Sequence, residues 1–155
     1  MFERAYKSIT ILSLVVFLSA CSVGHMMIHE QRSPYDFDKT VATIVNNAKE
    51  NNWLVPKVYD FQASLTQHGQ TDPGKIKLIK LCRPEYAAKM LSNEASRYVS
   101  VMMPCSVSVY EKSDGVYVSS MNMSLMSTVM GGEIGEILGK VAEDDRVILD
   151  FLYRH

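Results

Sequence analysis

Apolar residues recur at helical spacing in several parts of the chain. After Asp36, which is placed to cap a helix that Asn51-Asn52 would end, they are Phe37, Val41, Ile44, Val45 and Ala48. Proline at a first helical position marks a helix from Pro84, with apolar residues Tyr86, Ala87, Met90 and Leu91. A C-terminal helix, interrupted near Asp144, is indicated by Ile134, Ile137, Leu138, Val141, Ile148 and Phe151.

Five other segments have the residue types and alternation of strands. They are Met27 to Arg32, Trp53 to Val55 ending at Pro56, Lys75 to Cys82, Tyr98 to Glu111, and Val116 to Met123. Ser113-Asp114-Gly115 joins the last two as a hairpin. Asp60 can cap a short helix that continues to about His68 and closes at Gly69. Helices and strands mix without strict alternation, which predicts a two-layer α+β fold with helices on one face of a mainly antiparallel sheet.

The first residues have the build of a secretory signal. Arg4 and Lys7 precede a short apolar run, Ile9 to Leu18, which falls well below the roughly 20 residues that a membrane-spanning helix needs. The run ends in Leu18-Ser19-Ala20-Cys21, which resembles the bacterial lipobox. This resemblance implies cleavage after residue 20 and acylation of Cys21 with chains such as palmitate. The alternative is a plain signal peptide with a chance cysteine.

Several acyl chains on one residue anchor a protein stably to a bilayer. We therefore expect a signal peptide over residues 1–20, a lipidated tether over 21–26 and one domain over 27–155. By resemblance to other lipoproteins, Ser22 favours the periplasmic face of the outer membrane over the inner membrane.

Charge excludes one class of partner. The chain has formal charge −1, and removal of the leader, with Glu3, Arg4 and Lys7, leaves about −2 on 135 residues. A near-neutral surface without a basic patch gives little counterion release, so no nucleic-acid binding is expected. The remaining length suits a single domain with its own core.

Several stretches occur in an order that resembles a known family. They are SPYDFDKTVATIVNNAKENNWLV, VYDFQASLTQHGQ, VMMPCSVSVYEK and DGVYVSSMN, within Met27 to about Leu152. This order is similar to the domain of unknown function 302 (DUF302) family. The resemblance implies a compact α+β fold, frequent self-association, which makes a homodimer a candidate state, and no established enzymatic activity. This chain has Leu81-Cys82-Arg83-Pro84 where the family pattern has a Gly-Asn-Pro turn, and Cys105 where it has an aliphatic residue.

Cys82 and Cys105 are the thiols that remain once Cys21 carries lipid. In an oxidising envelope they could form a structural disulfide, which would contribute about 3 kcal/mol by closing a loop of this length. Two buried free thiols are a second interpretation. A redox pair is the third, because the start of the Pro84 helix and Arg83 would stabilise a thiolate on Cys82.

Methionines add soft donors near this pair. If the hairpin pairs Lys112 with Val116, Cys105 faces Met123, whereas a two-residue Asp114-Gly115 turn breaks that pairing. Met103 shares the strand face of Cys105, so thiols and thioethers would form a set suited to copper as Cu(I), or less directly to haem iron. The alternative is that these methionines, with others in the chain, fill a core or a pliable interface.

No other motif in the sequence carries chemistry. His25, His29, His68 and His155 show no zinc spacing, and Gly131-Gly132 with Gly135 form no phosphate loop. Glu143-Asp144-Asp145 is interpreted as a solvated helix junction. Two hypotheses follow: a non-catalytic envelope lipoprotein that binds a small ligand or partner and needs no cofactor, and a redox, soft-metal or haem module that uses Cys82 and Cys105.

Overall fold

The computed structural model describes residues 23–154. Five strands form one antiparallel sheet in the order β1-β5-β4-β3-β2. Their bounds are β1 Ile28–Arg32, β2 Leu54–Asp60, β3 Ile76–Cys82, β4 Cys105–Lys112 and β5 Gly115–Met121. The α-helices are α1 Val23–Met27, α2 Phe37–Glu50, α3 Phe61–Gln67, α4 Pro84–Ser92, α5 Met123–Met130 and α6 Gly132–Ile148. Two 3-10 helices span Glu94–Met102 and Asp150–Leu152.

The core lies between one face of the sheet and the helices. The sheet contributes alternate residues to it: Ile79, Leu81, Val107, Val109, Val116 and Val118. Helices α2 and α6 supply the opposing apolar surface with Phe37, Ile44, Ala48, Ile137, Leu138, Val141 and Ile148. The residues between them on β3, β4 and β5 are only partly buried, so the other face of the sheet stays open. The predicted α+β fold with an antiparallel sheet and helices on one face is confirmed.

Local capping chemistry sets most helix starts. The side chain of Asp36 accepts a hydrogen bond from Lys39 N at 2.8 Å, and that of Asp60 accepts one from Ala63 N at 2.9 Å. Pro84 occupies the first turn of α4, where its missing amide costs no helical hydrogen bond. All three predicted helix starts are confirmed.

Two predicted strands are wrong in the middle of the chain. The strand expected from Tyr98 begins only at Cys105, because the Asn93 side chain accepts a bond from Ala95 N and starts the 3-10 helix Glu94–Met102. The peptide bond between Met103 and Pro104 is cis. Strand β2 does not stop at Pro56: it lies at the sheet edge, where proline is tolerated, and its register shifts between Leu54 and Lys57.

Two further corrections concern the last third of the chain. The strand expected to reach Met123 ends at Met121, because Asn122 accepts a hydrogen bond from Leu125 N and caps α5, a helix that the sequence analysis missed. Helix α6 runs without interruption past Asp144 to Ile148.

At the N-terminal end of the described residues, the segment expected as a tether contains the single-turn helix α1.

Candidate functional site

The antiparallel pairing of β3 and β4 brings both cysteines to one end of the sheet. Cys82 is the last residue of β3 and Cys105 is the first of β4. Leu81 and Cys105 are cross-strand partners, so Cys105 shares the helix-covered face of the buried Leu81. Cys82 follows Leu81 by one position, and adjacent strand residues point to opposite faces. The two thiols are neighbours in the sheet without being a directly opposed pair.

Cys82 and Cys105 are both free, half-buried thiols. The structural disulfide that the sequence analysis considered is therefore not formed in this structure.

A small cavity lies beside the two cysteines, between the sheet end and helices α4 and α6. Its volume is about 40 Å³. Six of the residues that line it contain sulfur: Cys82, Met90, Met102, Met103, Cys105 and Met123. We call this space the sulfur cavity. All four residues that the sequence offered as soft-metal candidates, Cys82, Cys105, Met103 and Met123, line it.

Met123 lines the sulfur cavity from a helix, whereas the sequence analysis considered it as a strand residue opposite Cys105. The β4–β5 hairpin pairs Lys112 with Gly115, so neither of the two registers considered from the sequence is correct. Strand β5 has ended before Met123, and the strand partner of Cys105 is Leu81. Met123 reaches the cavity from the first turn of α5, where its side chain is 6% exposed.

An ion pair joins two helices beside the sulfur cavity. Arg83 Nη1 donates to Asp144 Oδ2 at 2.7 Å, and Trp53 Nε1 donates to the same oxygen at 3.1 Å. The Arg83 guanidinium also lies 4.9 Å from the ring centre of Tyr86, at cation-π distance. Burial, with the charge of Asp144, raises the pKa of Tyr86. Asp144 thus fixes the start of α4 against α6, and the expected solvated junction is wrong at this residue.

Two neighbouring groups have raised pKa values. Burial raises the pKa of the Cys105 thiol to about 12, and the charges of Asp145 and Cys82 act in the same direction. Burial raises the pKa of Asp145 to about 7, and the Asp144 carboxylate adds to this shift. Because the thiolate is the reactive form of cysteine, Cys105 is not poised as a redox nucleophile in this conformation.

A larger, open groove adjoins the sulfur cavity. Its volume is about 460 Å³, and it lies between the β1–β5 edge and the C-terminal half of α6. Its polar wall consists of His29, Ser120, Ser124, Asp145, Arg146, Asp150 and Tyr153. Met121, Met123, Ala142 and Leu149 supply the apolar wall. Met123 belongs to the linings of both spaces and separates the groove from the sulfur cavity. No local signal in the sequence indicates this groove.

The histidines contribute little to either space. His25, His29 and His68 are exposed, and of these three only His29 lines the groove. Within residues 23–154, no three His, Cys, Asp or Glu side chains group as a metal site. In the same part of the chain, no helix is long and apolar enough to cross a bilayer. The predicted leader, Cys21 and His155 lie outside the described residues.

Fold and site together define a two-layer α+β domain with a sulfur-lined cavity at one end of its sheet. A family model described as "Domain of unknown function DUF302" matches residues 29–151, and the chain belongs to this family. The resemblance noted in the sequence is confirmed.

A crystal structure of an uncharacterized conserved DUF302 protein from Bacillus stearothermophilus is similar, with a TM-score of 0.72 and 16% identity. The match covers 82% of this chain and 98% of that one, and at this identity it shows the fold alone. No curated protein matches the chain.

Proposed function

We propose that this protein is a membrane-anchored envelope lipoprotein with a non-catalytic binding domain. The lipobox-like Leu18-Ser19-Ala20-Cys21 supports acylation of Cys21, and Ser22 supports the outer membrane as its destination. Replacing Cys21 by Ser should release the protein from membranes or block its processing, as read by fractionation and intact mass. A Ser22→Ala chain is the matched control and should stay membrane-bound. Normal maturation and retention of the Cys21→Ser chain would contradict the anchor.

A soft metal ion, Cu(I), is the ligand that we propose for the domain. The observation that carries this proposal is that Cys82, Cys105, Met103 and Met123 all line one cavity. Thiolates and thioethers are the ligands that Cu(I) prefers. The cavity volume of about 40 Å³ suits an ion and a few atoms around it, whereas pockets for organic ligands are typically about 300 to 1,000 Å³. The same comparison argues against haem.

Competition with a chromophoric Cu(I) chelator, bathocuproine disulfonate, tests this proposal under ascorbate. The full chain in detergent should remove one Cu(I) per molecule from the chelator. Cys105→Ser should weaken the affinity at least about 100-fold, because a thiolate ligand is lost. Met130→Leu is the matched control, because Met130 lines neither the sulfur cavity nor the groove. Failure of the wild-type chain to compete would overturn Cu(I) as the ligand.

A small organic ligand or a partner segment in the groove is the second candidate. Its support is the groove volume of about 460 Å³, which lies in the range of organic-ligand pockets. Thermal shift against a metabolite library should then find stabilising compounds, and Ser124→Trp, which fills the groove, should abolish the shift. Thr128→Trp, on an exposed position of the same helix, is the matched control. A library without any stabilising compound would count against this candidate.

Thiol redox chemistry is the remaining candidate from the sequence. It requires Cys82 and Cys105 to bridge, and a labile bridge would have a reduction potential above about −300 mV. The neutral Cys105 thiol counts against it. Equilibration with glutathione buffers followed by mass spectrometry measures the potential, and a measured value above that limit would restore the redox function.

The open face of the sheet is the surface that we propose for a homodimer. Small serines occupy its middle, Lys80 lies on the β3 side and Glu30 on the β1 side. A two-fold axis through the serines would bring Lys80 of one copy toward Glu30 of the other, and Glu30 also pairs with Lys112 of its own chain at 2.8 Å. Light scattering should report a dimer that Ser108→Arg dissociates, with Thr128→Arg as a control. A monomeric wild-type chain would contradict this arrangement.

A further inference from the structure

Three methionines beside the groove are unusually exposed. Met26 is 57% exposed, Met27 is 40% exposed and Met121 is 37% exposed, although methionine is usually among the buried residue types. The three lie close together, because Asn122 Nδ2 donates to Met26 O at 2.9 Å and Asn122 N donates to Met27 O at 2.7 Å. Asn122 itself directly follows Met121. Three exposed methionines therefore lie at the surface where α1, β5 and α5 meet.

Met123 connects these surface methionines to the sulfur cavity. Met121 lines the groove, and Met123 lines both the groove and the sulfur cavity. Beyond Met123, the sulfur cavity presents Met103 and the Cys105 thiol. Sulfur-bearing side chains thus extend from solvent to the two cysteines.

We propose that Met26, Met27, Met121 and Met123 form a path along which Cu(I) moves from solvent into the sulfur cavity. This inference rests on the proposed function and adds the route of loading to it. A neutral thioether binds Cu(I) without losing a proton, so an ion on the path exchanges from one sulfur to the next. At the end of the path a thiol S–H bond breaks, an S–Cu bond forms, and the proton leaves to solvent. Copper stays Cu(I) throughout.

An apolar contact surface is the competing explanation for the exposed methionines, because Ile28 in the same area is 55% exposed. Methionine-to-leucine substitution separates the two explanations. Leucine keeps the apolar area and about the same volume, and it removes the sulfur. A partner-binding patch would tolerate the change, whereas a sulfur path would not.

Loading kinetics test the path. The full chain in detergent is mixed with the Cu(I)–bathocuproine disulfonate complex under ascorbate, and the decay of the complex's visible absorbance gives the transfer rate. The Met26→Leu/Met27→Leu/Met121→Leu chain should load at least about ten-fold more slowly with unchanged stoichiometry and equilibrium affinity. Met130→Leu should load at the wild-type rate. Circular dichroism melting confirms that each variant folds.

The outcomes distinguish the path from the proposed function. If the wild-type chain takes no Cu(I), both the site and the path are overturned. If the triple variant loads at the wild-type rate, the path alone is overturned and the Cu(I) site stands. If Met123→Leu lowers affinity as well as rate while the triple variant lowers only the rate, Met123 is both a ligand and the last step of the path.

Discussion

Arg83 and Asp144 form an ion pair at 2.7 Å that connects the residue before α4 to the C-terminal half of α6. Their side chains are only 21% and 23% exposed. Asp144 also accepts from Trp53 Nε1, so one carboxylate serves two donors from different parts of the chain. Because water has little access, the loss of either partner leaves a poorly solvated charge behind.

We predict that Asp144→Asn lowers the free energy of unfolding by about 1.5 to 3 kcal/mol, the usual range for a hydrogen bond to a charged group. Urea denaturation of the full chain in detergent measures the change. Glu94→Gln is the matched control, because its partner Arg97 is 59% exposed and surface pairs contribute about 1 kcal/mol or less. An Asp144→Asn chain as stable as the control would show that the pair contributes no more than a surface pair.

The two glycines of α6 that face α5 should respond oppositely to alanine. A Cβ on Gly135 would lie 2.5 Å from the Ser127 carbonyl oxygen, a backbone atom, whereas a Cβ on Gly139 would lie 3.4 Å from Ser127 Oγ. Gly135→Ala should therefore destabilise by about 1 to 3 kcal/mol through overpacking. Gly139→Ala should be neutral or stabilise by up to about 1 kcal/mol through helix propensity. Denaturation midpoints of both chains check the prediction, and equal effects would contradict the close approach of α5.

Stability should depend on pH through Asp145. Its pKa rises from 3.8 to about 7 on folding, so between these values the unfolded chain has released the proton and the folded chain keeps it. The contribution of Asp145 to stability is therefore greatest below about pH 4, falls as the pH rises to about 7, and is constant above that. We expect a loss of about 1 to 2 kcal/mol, reduced by the access of water from the groove.

Asp145→Asn should remove this slope, and urea denaturation at several pH values measures it. The other titratable groups nearby, Asp144, Cys105, His29 and Asp150, remain in the variant, so the difference from wild type isolates Asp145. Asp38→Asn, at a side chain that is 85% exposed, is the matched control and should keep the wild-type slope. Identical slopes for wild type and Asp145→Asn would contradict the raised pKa.

Cys105 should react slowly while the protein is folded. With Cys21 and Cys82 both replaced by Ser, Cys105 is the remaining thiol, and its pKa of about 12 leaves very little thiolate at pH 8. Alkylation with iodoacetamide should be at least about 100-fold slower in the folded chain than in guanidinium chloride. Mass spectrometry of timed aliquots measures the rates. Comparable rates in the two conditions would show that the thiol is open to solvent and ionises normally.

The sequence predicted the features that depend on nearby residues. Asp36, Asp60 and Pro84 start their helices through bonds and backbone angles within one turn, and all three were identified. Asn93 and Asn122 cap helices by the same chemistry, but the alternating apolar residues from Tyr98 onward and from Val116 to Met123 favoured strands. The apolar pattern and the capping residue predicted different elements there, and the capped helix formed.

The candidate site was predictable only in part. Cys82 ends one strand and Cys105 begins the next antiparallel strand. The order of the strands therefore predicted that the two cysteines lie at the same end of the sheet. The contribution of Met123 depended on the length of the hairpin turn, which the sequence left open. Arg83 and Asp144 are 61 positions apart, and nothing local relates them.

The strand order also bears on the sequence of folding events. The neighbours β2–β3, β3–β4 and β4–β5 are consecutive strands, whereas β1 is held by β5, and the adjoining bond from Asn122 to Met26 joins residues 96 positions apart. Closing so long a loop is entropically costly, so β1 should add to the sheet last and detach first. Native-state hydrogen exchange should then find the β1 amides less protected than those of β3. Mechanical tension on the N-terminal end would act on β1, the strand that forms last. The weakest strand pairing of the domain, β1–β5, therefore lies beside the groove.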